Sequence, residues 1–354
     1  MVKNKKKENF QDNENIRIVL KNRRNENIHG INNIKDKKIY DNNIKKNDYI
    51  SKQYIKKSNE KQLLLINTFK VEYKKNPIDE YDEVIMKNMF MEENINRADY
   101  KQILNIISEA KNPIKRNSCI NFAISLCETF DLRQETFYLS INIFDRYIQK
   151  INQSKGLNNI NTKLIMLTCL FISSKYEEIY PPLIEELLEL VKSFSKNDIL
   201  KLENHILSQL KFDFHIFSPY LFLTKFFTYL EKGSTLLHYA QFILDISQFS
   251  PNFCLLKPSF QAAISLYLSK KILGSFLRYK SKIWPDENEF YTGYSESEVK
   301  KNIKLSIQII KDFFTGNIAK EFNKTAIFKK YNNSKYSFVS NDFRDFCAIQ
   351  KSLT

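Results

Sequence analysis

Glycine and proline are both scarce in this chain, 6 and 8 residues among 354, where average usage would give about 25 and 18. The glycines (Gly30, Gly156, Gly233, Gly274, Gly293 and Gly316) stand far apart. That excludes G-x-G-x-x-G and G-x-x-x-x-G-K-[ST], the loops whose backbone N–H groups close around phosphates. It also leaves little for hairpin turns or strand bulges, so helix is the default. Cysteine is present without pattern: Cys119, Cys127, Cys169, Cys254 and Cys347 are odd in number and include no C-x-x-C. Such usage predicts free thiols in a reducing compartment. The four histidines (His29, His205, His215, His238) form no H-E-x-x-H and no paired zinc spacing, so no metal or other cofactor is expected. Long apolar runs are missing too. The longest, Leu164 to Ile172, has nine residues, against about 20 for a membrane span. No apolar stretch follows the charged start as in a signal peptide, and no membrane partner is expected.

What the chain has in excess is positive charge and aromatic residues, net +15 with 28 Phe and 19 Tyr. The charge is uneven. Residues 1–70 hold 18 Lys and Arg against 8 Asp and Glu, and the other 284 hold 37 against 32. The first segment is rich in Asn and Lys, and its Ile and Tyr follow no sustained period. It buries too little apolar surface to offset its ordering entropy, which predicts a disordered basic arm. Its basic clusters read either as solvating charge or as contacts for nucleic acid or an import receptor.

From Pro77 the pattern turns helical. Pro77-Ile78-Asp79-Glu80 suits a helix N-terminus, followed by an apolar stripe at Tyr81, Ile85 and Met89. Further helices are predicted over 113–130, with Ile120, Ala123, Ile124 and Cys127 inward, and over 134–150, with Phe137, Ile141, Phe144 and Ile148. Residues 162–178 are apolar nearly all round, the mark of a helix buried on most sides. Pro181-Pro182 breaks the chain before helices at 183–192 and 196–211, the latter opened by a Ser195/Asp198 capping box. A second set is predicted at 219–231, 235–249, 257–273 and 296–314, with a short turn near Trp284-Pro285. Strand signals are missing. Periodicity thus gives an all-α chain with two helical bundles of ordinary domain size.

Particular residues say more. Ser173-Ser174-Lys175-Tyr176-Glu177-Glu178-Ile179-Tyr180-Pro181-Pro182 closely resembles the S-K-[FY]-E-E-x-Y-P-P core of the cyclin box in A- and B-type cyclins. Around it, in the family's order, Leu132-Arg133-Gln134-Glu135-Thr136 resembles L-x-x-E-T, and Asp145-Arg146-Tyr147 resembles D-R-[FY]. Leu202-Glu203 through Phe214 is similar to M-E-x-x-[IV]-L…L-x-F-x-[LF]. Trp284-Pro285…Thr292-Gly293-Tyr294 and Lys330-Tyr331…Ser334-Lys335-Tyr336…Val339 resemble landmarks of the second half. The resemblance spans about residues 77–340. It implies two tandem five-helix cyclin folds at 113–217 and 218–340, after the arm at 1–70 and an N-terminal helical segment at 71–112, with a tail at 341–354.

Such a chain is expected to be a regulatory subunit of a cyclin-dependent protein kinase, with no active site of its own, in the nucleus and cytoplasm. By position, Lys175 and Glu203 match the cyclin pair that hydrogen-bonds the kinase's αC segment, and Tyr176, Ile179, Leu207, Phe212 and Phe214 match the apolar contacts around it. Leu207 and Phe214 read equally as ordinary core. Arg116 and Asp145 match a partly buried ion pair inside the first fold. One block departs from the family: where relatives read M-R-A-I-L-x-[DE]-W, lining a shallow groove for R-x-L motifs of substrates and inhibitors, this chain has Lys115 to Phe122. Lys115, Ser118 and Cys119 replace apolar groove residues, and Phe122 and Leu164 remain, so R-x-L docking is expected to be weak or altered. The 151–161 connector is about six residues longer than usual, which lengthens a surface loop.

In the arm, Lys7-Glu8-Asn9 resembles a KEN box, and Arg17, Leu20 and Asn25 fit the R-x-x-L-x-x-x-x-N of a destruction box. These imply a ubiquitin ligase as a further partner and destruction during the cell cycle. The competing reading is a cyclin-fold transcription factor that grips DNA and polymerase. The excess charge sits mostly in the arm and zinc-ribbon cysteine pairs are lacking before the first fold, which argues against it, and no direct nucleic-acid contact is expected. An enzyme is the remotest reading, since no nucleophile–base pair, metal set or phosphate loop is visible.

Overall fold

The computed structural model describes residues 80–108, 115–153, 161–230, 233–277, 282–315 and 325–342. Regular structure among them is entirely helical. An N-terminal segment carries α1 (Glu80–Glu92) and α2 (Tyr100–Ser108). The first fold follows with α3 (Arg116–Thr129), α4 (Gln134–Gln153), α5 (Thr162–Glu177), α6 (Ile184–Leu190) and α7 (Lys196–Leu210). The second has α8 (Pro219–Leu230), α9 (Ser234–Ser247), the single turn α10 (Pro251–Cys254), α11 (Pro258–Leu277), α12 (Asp286–Thr292) and α13 (Glu296–Thr315). The short α14 (Ala326–Tyr331) and a 3-10 turn (Ser334–Tyr336) close it. Two successive helical folds are what the motif order implied.

In the first fold, α3, α4 and α7 pack around α5. Asn161 starts that helix by accepting from the Lys163 and Leu164 N–H groups at 3.1 and 3.3 Å. Every residue from Ile165 to Ser174 is buried. Its apolar side chains gain about 1.5–3 kcal/mol each on burial. The hydroxyls among them stay satisfied by donating back along the helix, Thr168 to Leu164, Ser173 to Cys169 and Ser174 to Phe171, at 2.8–2.9 Å. In the second fold α11 has the same central place between α8, α9 and α13. The predicted capping box is present: Ser195 Oγ accepts from Asp198 N–H at 3.2 Å while Asp198 Oδ2 accepts from Ser195 N–H at 3.1 Å. Gly293 ends α12 at φ +72°, a left-handed cap that glycine adopts without Cβ strain.

Three expectations need correction. The stripe on α1 does not run through Ile85, which is 43% exposed, while Met86 and Met89 are buried, as is Glu93 just past the helix end; the Tyr81 side chain lies outside the described residues. A four-residue step overshoots a 3.6-residue turn by about 40°, so a series of fours leaves one face. The helix α2, the turn α10 and α14 were not anticipated. The Arg116–Asp145 pair, expected to be partly buried, is buried completely.

The two folds are joined through two buried polar hubs. Arg116 holds Asp145 with a bidentate fork, Nε to Oδ1 at 2.9 Å and Nη2 to Oδ2 at 2.8 Å, at 2% and 1% side-chain exposure. Its third nitrogen, Nη1, donates to the Gln248 carbonyl of the second fold at 2.6 Å. Burial works against the Arg116 charge, but the Asp145 carboxylate outweighs it and holds the pKa above the ordinary arginine value. The second hub is Asp245 on α9. It accepts from Gln134 Nε2 and Tyr138 Oη on α4, and from Lys330 Nζ and Tyr331 Oη on α14, at 2.7–3.1 Å. Burial, then the Asp245 charge, raises both tyrosine pKa values. The four cysteines among the described residues are free and buried, and burial pushes Cys127 up to about 12 and Cys254 up to about 11. Such thiols are poor nucleophiles.

Candidate partner-binding surface

The C-terminal end of α5 leaves the core at Lys175. Its ammonium meets the Glu203 carboxylate from α7 and lies over the Phe171 ring, 4.2 Å from the centroid. The side chains are 41% and 9% exposed, so the pair stands at the boundary between core and water. Around it the surface is apolar. Ile179 is 85% exposed and Phe212 69%, with Tyr176, Tyr180 and Leu183 also exposed. Tyr176 meets Phe214 edge-on at 6.1 Å. Phe214 is buried and Leu207 half-buried, so these two, whose sequence reading was open, carry the core beneath the patch.

Local backbone explains why Phe212 points outward. Lys211 and Phe212 are both left-handed, at φ +54° and +58°, an unfavourable state for bulky side chains. The Phe212 N–H donates to the Leu207 carbonyl at 3.1 Å, closing α7 as a Schellman turn does. The next residues are tied down: Asp213 Oδ1 accepts from Asn96 Nδ2 at 2.5 Å, and its carbonyl accepts from Arg146 Nη1 at 2.8 Å. The Asp145-Arg146 dipeptide therefore holds the core with one residue and positions this loop with the other.

Glu177 and Glu178 do not act as a pair. Glu178 Oε1 accepts from Arg133 N–H at 2.7 Å and Thr136 Oγ1 at 2.5 Å, so it caps α4. The Arg133–Thr136 block and the Ser173–Pro182 block are thus parts of one contact. Sequence reasoning missed the Asp245 hub. Its signal was an acid inside the apolar run from Phe242 to Ile246, since a buried carboxylate must have donors.

The groove residues lie elsewhere, on α3 and the start of α5. Lys115 and Ser118 are exposed, and Phe122 and Leu164 half-buried. Cys119 does not line a groove. It is buried, and its Sγ donates to the Thr162 carbonyl at 3.5 Å. The degron residues Lys7, Glu8, Asn9, Arg17, Leu20 and Asn25 lie outside the described residues.

Comparison with known proteins matches this division of the chain. Residues 84–215 match the family model for the cyclin N-terminal domain, and residues 217–343 that for the cyclin C-terminal domain. Among curated relatives, Cyclin-B2-1 of Arabidopsis thaliana is 27% identical over 230 residues, 65% of this chain and 50% of that protein. Cyclin-A1-4 of Oryza sativa subsp. japonica is 30% identical over 63% of this chain and 61% of its own. G2/mitotic-specific cyclin-2 of Medicago sativa is 25% identical over 65% and 66%. The match therefore spans between half and two thirds of those relatives' own length. A solved viral cyclin from herpesvirus saimiri aligns with 55% of this chain and 83% of its own, at 21% identity and a TM-score of 0.46. With both domain models matched end to end over most of its length, the chain belongs to the cyclin family.

Proposed function

We propose that this cyclin is the regulatory subunit of a cyclin-dependent Ser/Thr protein kinase, which it binds and activates to drive cell-cycle progression. The observation that carries the reading is the boundary-placed Lys175–Glu203 pair within a ring of exposed Tyr176, Ile179 and Phe212. A few fixed polar groups inside an apolar field is how durable interfaces are built. An active kinase needs its β3 lysine paired with the αC glutamate. A subunit that binds only the αC-in state shifts the population toward it, by as much as its affinity difference allows. Moving the balance from 1:99 to 99:1 takes about 5.5 kcal/mol of that difference.

The test is purification of the chain from dividing cells with an assay for associated Ser/Thr kinase. Lys175→Ala combined with Glu203→Ala is expected to lose the kinase while keeping its helical circular dichroism. Retention of the kinase would place the interface elsewhere. The same reading gives the arm its role: Lys7-Glu8-Asn9 and the Arg17/Leu20/Asn25 segment are recognised by a ubiquitin ligase, as extended motifs suit. Arg17→Ala and Leu20→Ala with Lys7-Glu8-Asn9 removed should leave the protein stable after mitosis, and unchanged turnover would refute the degrons. On this reading the chain works in nucleus and cytoplasm.

A further inference from the structure

Residues 93–99, between α1 and α2, form a strap tied to both folds. Glu93 is buried and accepts from the Ser259 N–H at 3.1 Å and from Lys257 Nζ at 3.2 Å. Arg97 Nη2 donates to the Cys254 and Leu256 carbonyls, so the second fold holds the strap twice. On α4, Gln149 Oε1 accepts from the Asp99 N–H at 3.1 Å and Gln149 Nε2 donates to the Asp99 carbonyl at 3.0 Å. Between these ties stands Asn96, half-buried and left-handed at φ +53°, a state that asparagine enters more readily than bulky residues do. Its carbonyl accepts from Asn142 Nδ2 at 2.9 Å. Its side-chain oxygen faces Arg146 Nη2 at 3.4 Å, which turns the amide N–H₂ toward the loop after α7. There Nδ2 donates to Asp213 Oδ1 at 2.5 Å and to the His215 carbonyl at 3.0 Å. Both amide hydrogens are thus spent on residues 213–215, directly after Phe212.

We propose that Asn96 is a positioning residue for the partner surface: it fixes the loop that presents Phe212. With 69% of its surface in water, Phe212 has little packing of its own to keep it in an unfavourable left-handed state. Its N–H bond to Leu207 secures it from the helix side, and Asn96 secures the chain that follows. Arg146 holds the Asp213 carbonyl, whereas Asn96 takes the Asp213 carboxylate and the carbonyl two residues on. A loop ordered before the partner arrives has less freedom to lose on binding. The inference rests on the proposed function for what Phe212 meets, and on the hydrogen bonds alone for what holds the loop.

The test uses the full chain and two substitutions. Asn96→Gly keeps the left-handed backbone accessible and removes the amide. Asn96→Asp sets a carboxylate against Asp213, and adding Asp213→Asn restores a donor facing an acceptor. The first readout needs no kinase: hydrogen exchange of residues 211–215 followed by mass spectrometry. Exchange there should be roughly fivefold faster in either single variant, the scale of one lost hydrogen bond, and should slow again in the Asn96→Asp/Asp213→Asn double variant. Unchanged exchange, or no recovery in the double variant, would overturn the proposal. The second readout is affinity for the kinase that copurifies with the parent chain, referred to the folded fraction. Asn96→Gly should weaken it roughly threefold in the parent and not at all in a Phe212→Gly background, because the two residues act as one unit. An equal loss in both backgrounds would mean a general structural role and overturn the proposal. Faster exchange with affinity unchanged in both Asn96→Gly and Phe212→Gly would uphold the hold on the loop and refute Phe212 as a partner contact.

Discussion

The helices α5 and α11 hold equivalent places, each buried at the centre of its fold, yet their surroundings differ at the surface. The chain leaving α5 exposes Tyr176, Ile179, Tyr180 and Leu183, and α7 adds Phe212 beside them. Among the described residues of the second fold the exposed large apolar side chains are Leu255, Phe290 and Phe338, far apart along the chain. Their lysines differ too. Lys175 sits at the boundary with Glu203, while Lys270 on α11 donates inward to the buried Asn288 at 3.2 Å. The same helical frame thus occurs with and without an exposed apolar patch beside it, the patch to which the proposed function assigns the partner. What stabilises the frame and what faces the partner are largely separate sets of residues.

The strongest way to break that separation is at the second fold's hub. Asp245→Ala would leave the buried Lys330 ammonium without a carboxylate, holding only Gln134 Oε1, and would take the acceptor from three neutral donors at once. Removing one partner of a buried pair costs about 3–5 kcal/mol, and the melting temperature should fall by roughly 10 °C. Thermal melts by circular dichroism measure it. Kinase affinity, referred to the folded fraction, should be little changed. A shift under about 2 °C would mean that the hub contributes no more than a surface contact.

The partner surface should behave the opposite way. Ile179→Asp alters a side chain that is almost wholly in water, so stability should stay within about 0.5 kcal/mol. Kinase binding should weaken by roughly 30-fold, the scale of a 2 kcal/mol hot spot. Phe212→Gly is the finer case. It removes an exposed contact but also relieves a left-handed backbone that costs a bulky residue about 1–2 kcal/mol. That relief offsets the entropy glycine adds to the unfolded chain, about 0.4–1 kcal/mol. Affinity should fall about tenfold while stability is held or slightly raised. A variant clearly less stable than the parent would show that Phe212 serves the core.

How legible each region was follows from how its residues are spread along the chain. The Lys175 surface was readable because Ser173 to Pro182 are contiguous and Glu203 lies in the next recognisable block. Composition alone did not distinguish Lys175 from any solvated helix charge. The hub was illegible because Gln134, Tyr138, Asp245, Lys330 and Tyr331 come from three distant segments and each alone is commonplace. The helix α2 was there to be read, since Tyr100, Ile103, Ile106 and Ile107 follow helical spacing over nine residues. Four-residue α10 is below what periodicity can resolve.

The smallest expected effect sharpens the comparison by pH. His238 on α9 is half-buried, its Nδ1 3.0 Å from Ser337 Oγ and its ring edge-on to Tyr336. Burial lowers its pKa below the ordinary 6.5, so the folded chain releases this proton more readily than the unfolded one. Between the two values the unfolded state binds more protons, and stability rises with pH there. The contribution is complete above 6.5 and is lost as pH falls through the folded-state value. His238→Gln keeps a hydrogen-bonding group without a titration and should flatten this part of the melting-temperature profile. Kinase affinity measured across the same pH range should be indifferent to the substitution, because His238 packs against the segment that closes the second fold. If the substitution changed that affinity while leaving the melting profile sloped, the pH sensitivity would lie at the partner surface and the separation of frame from interface would fail.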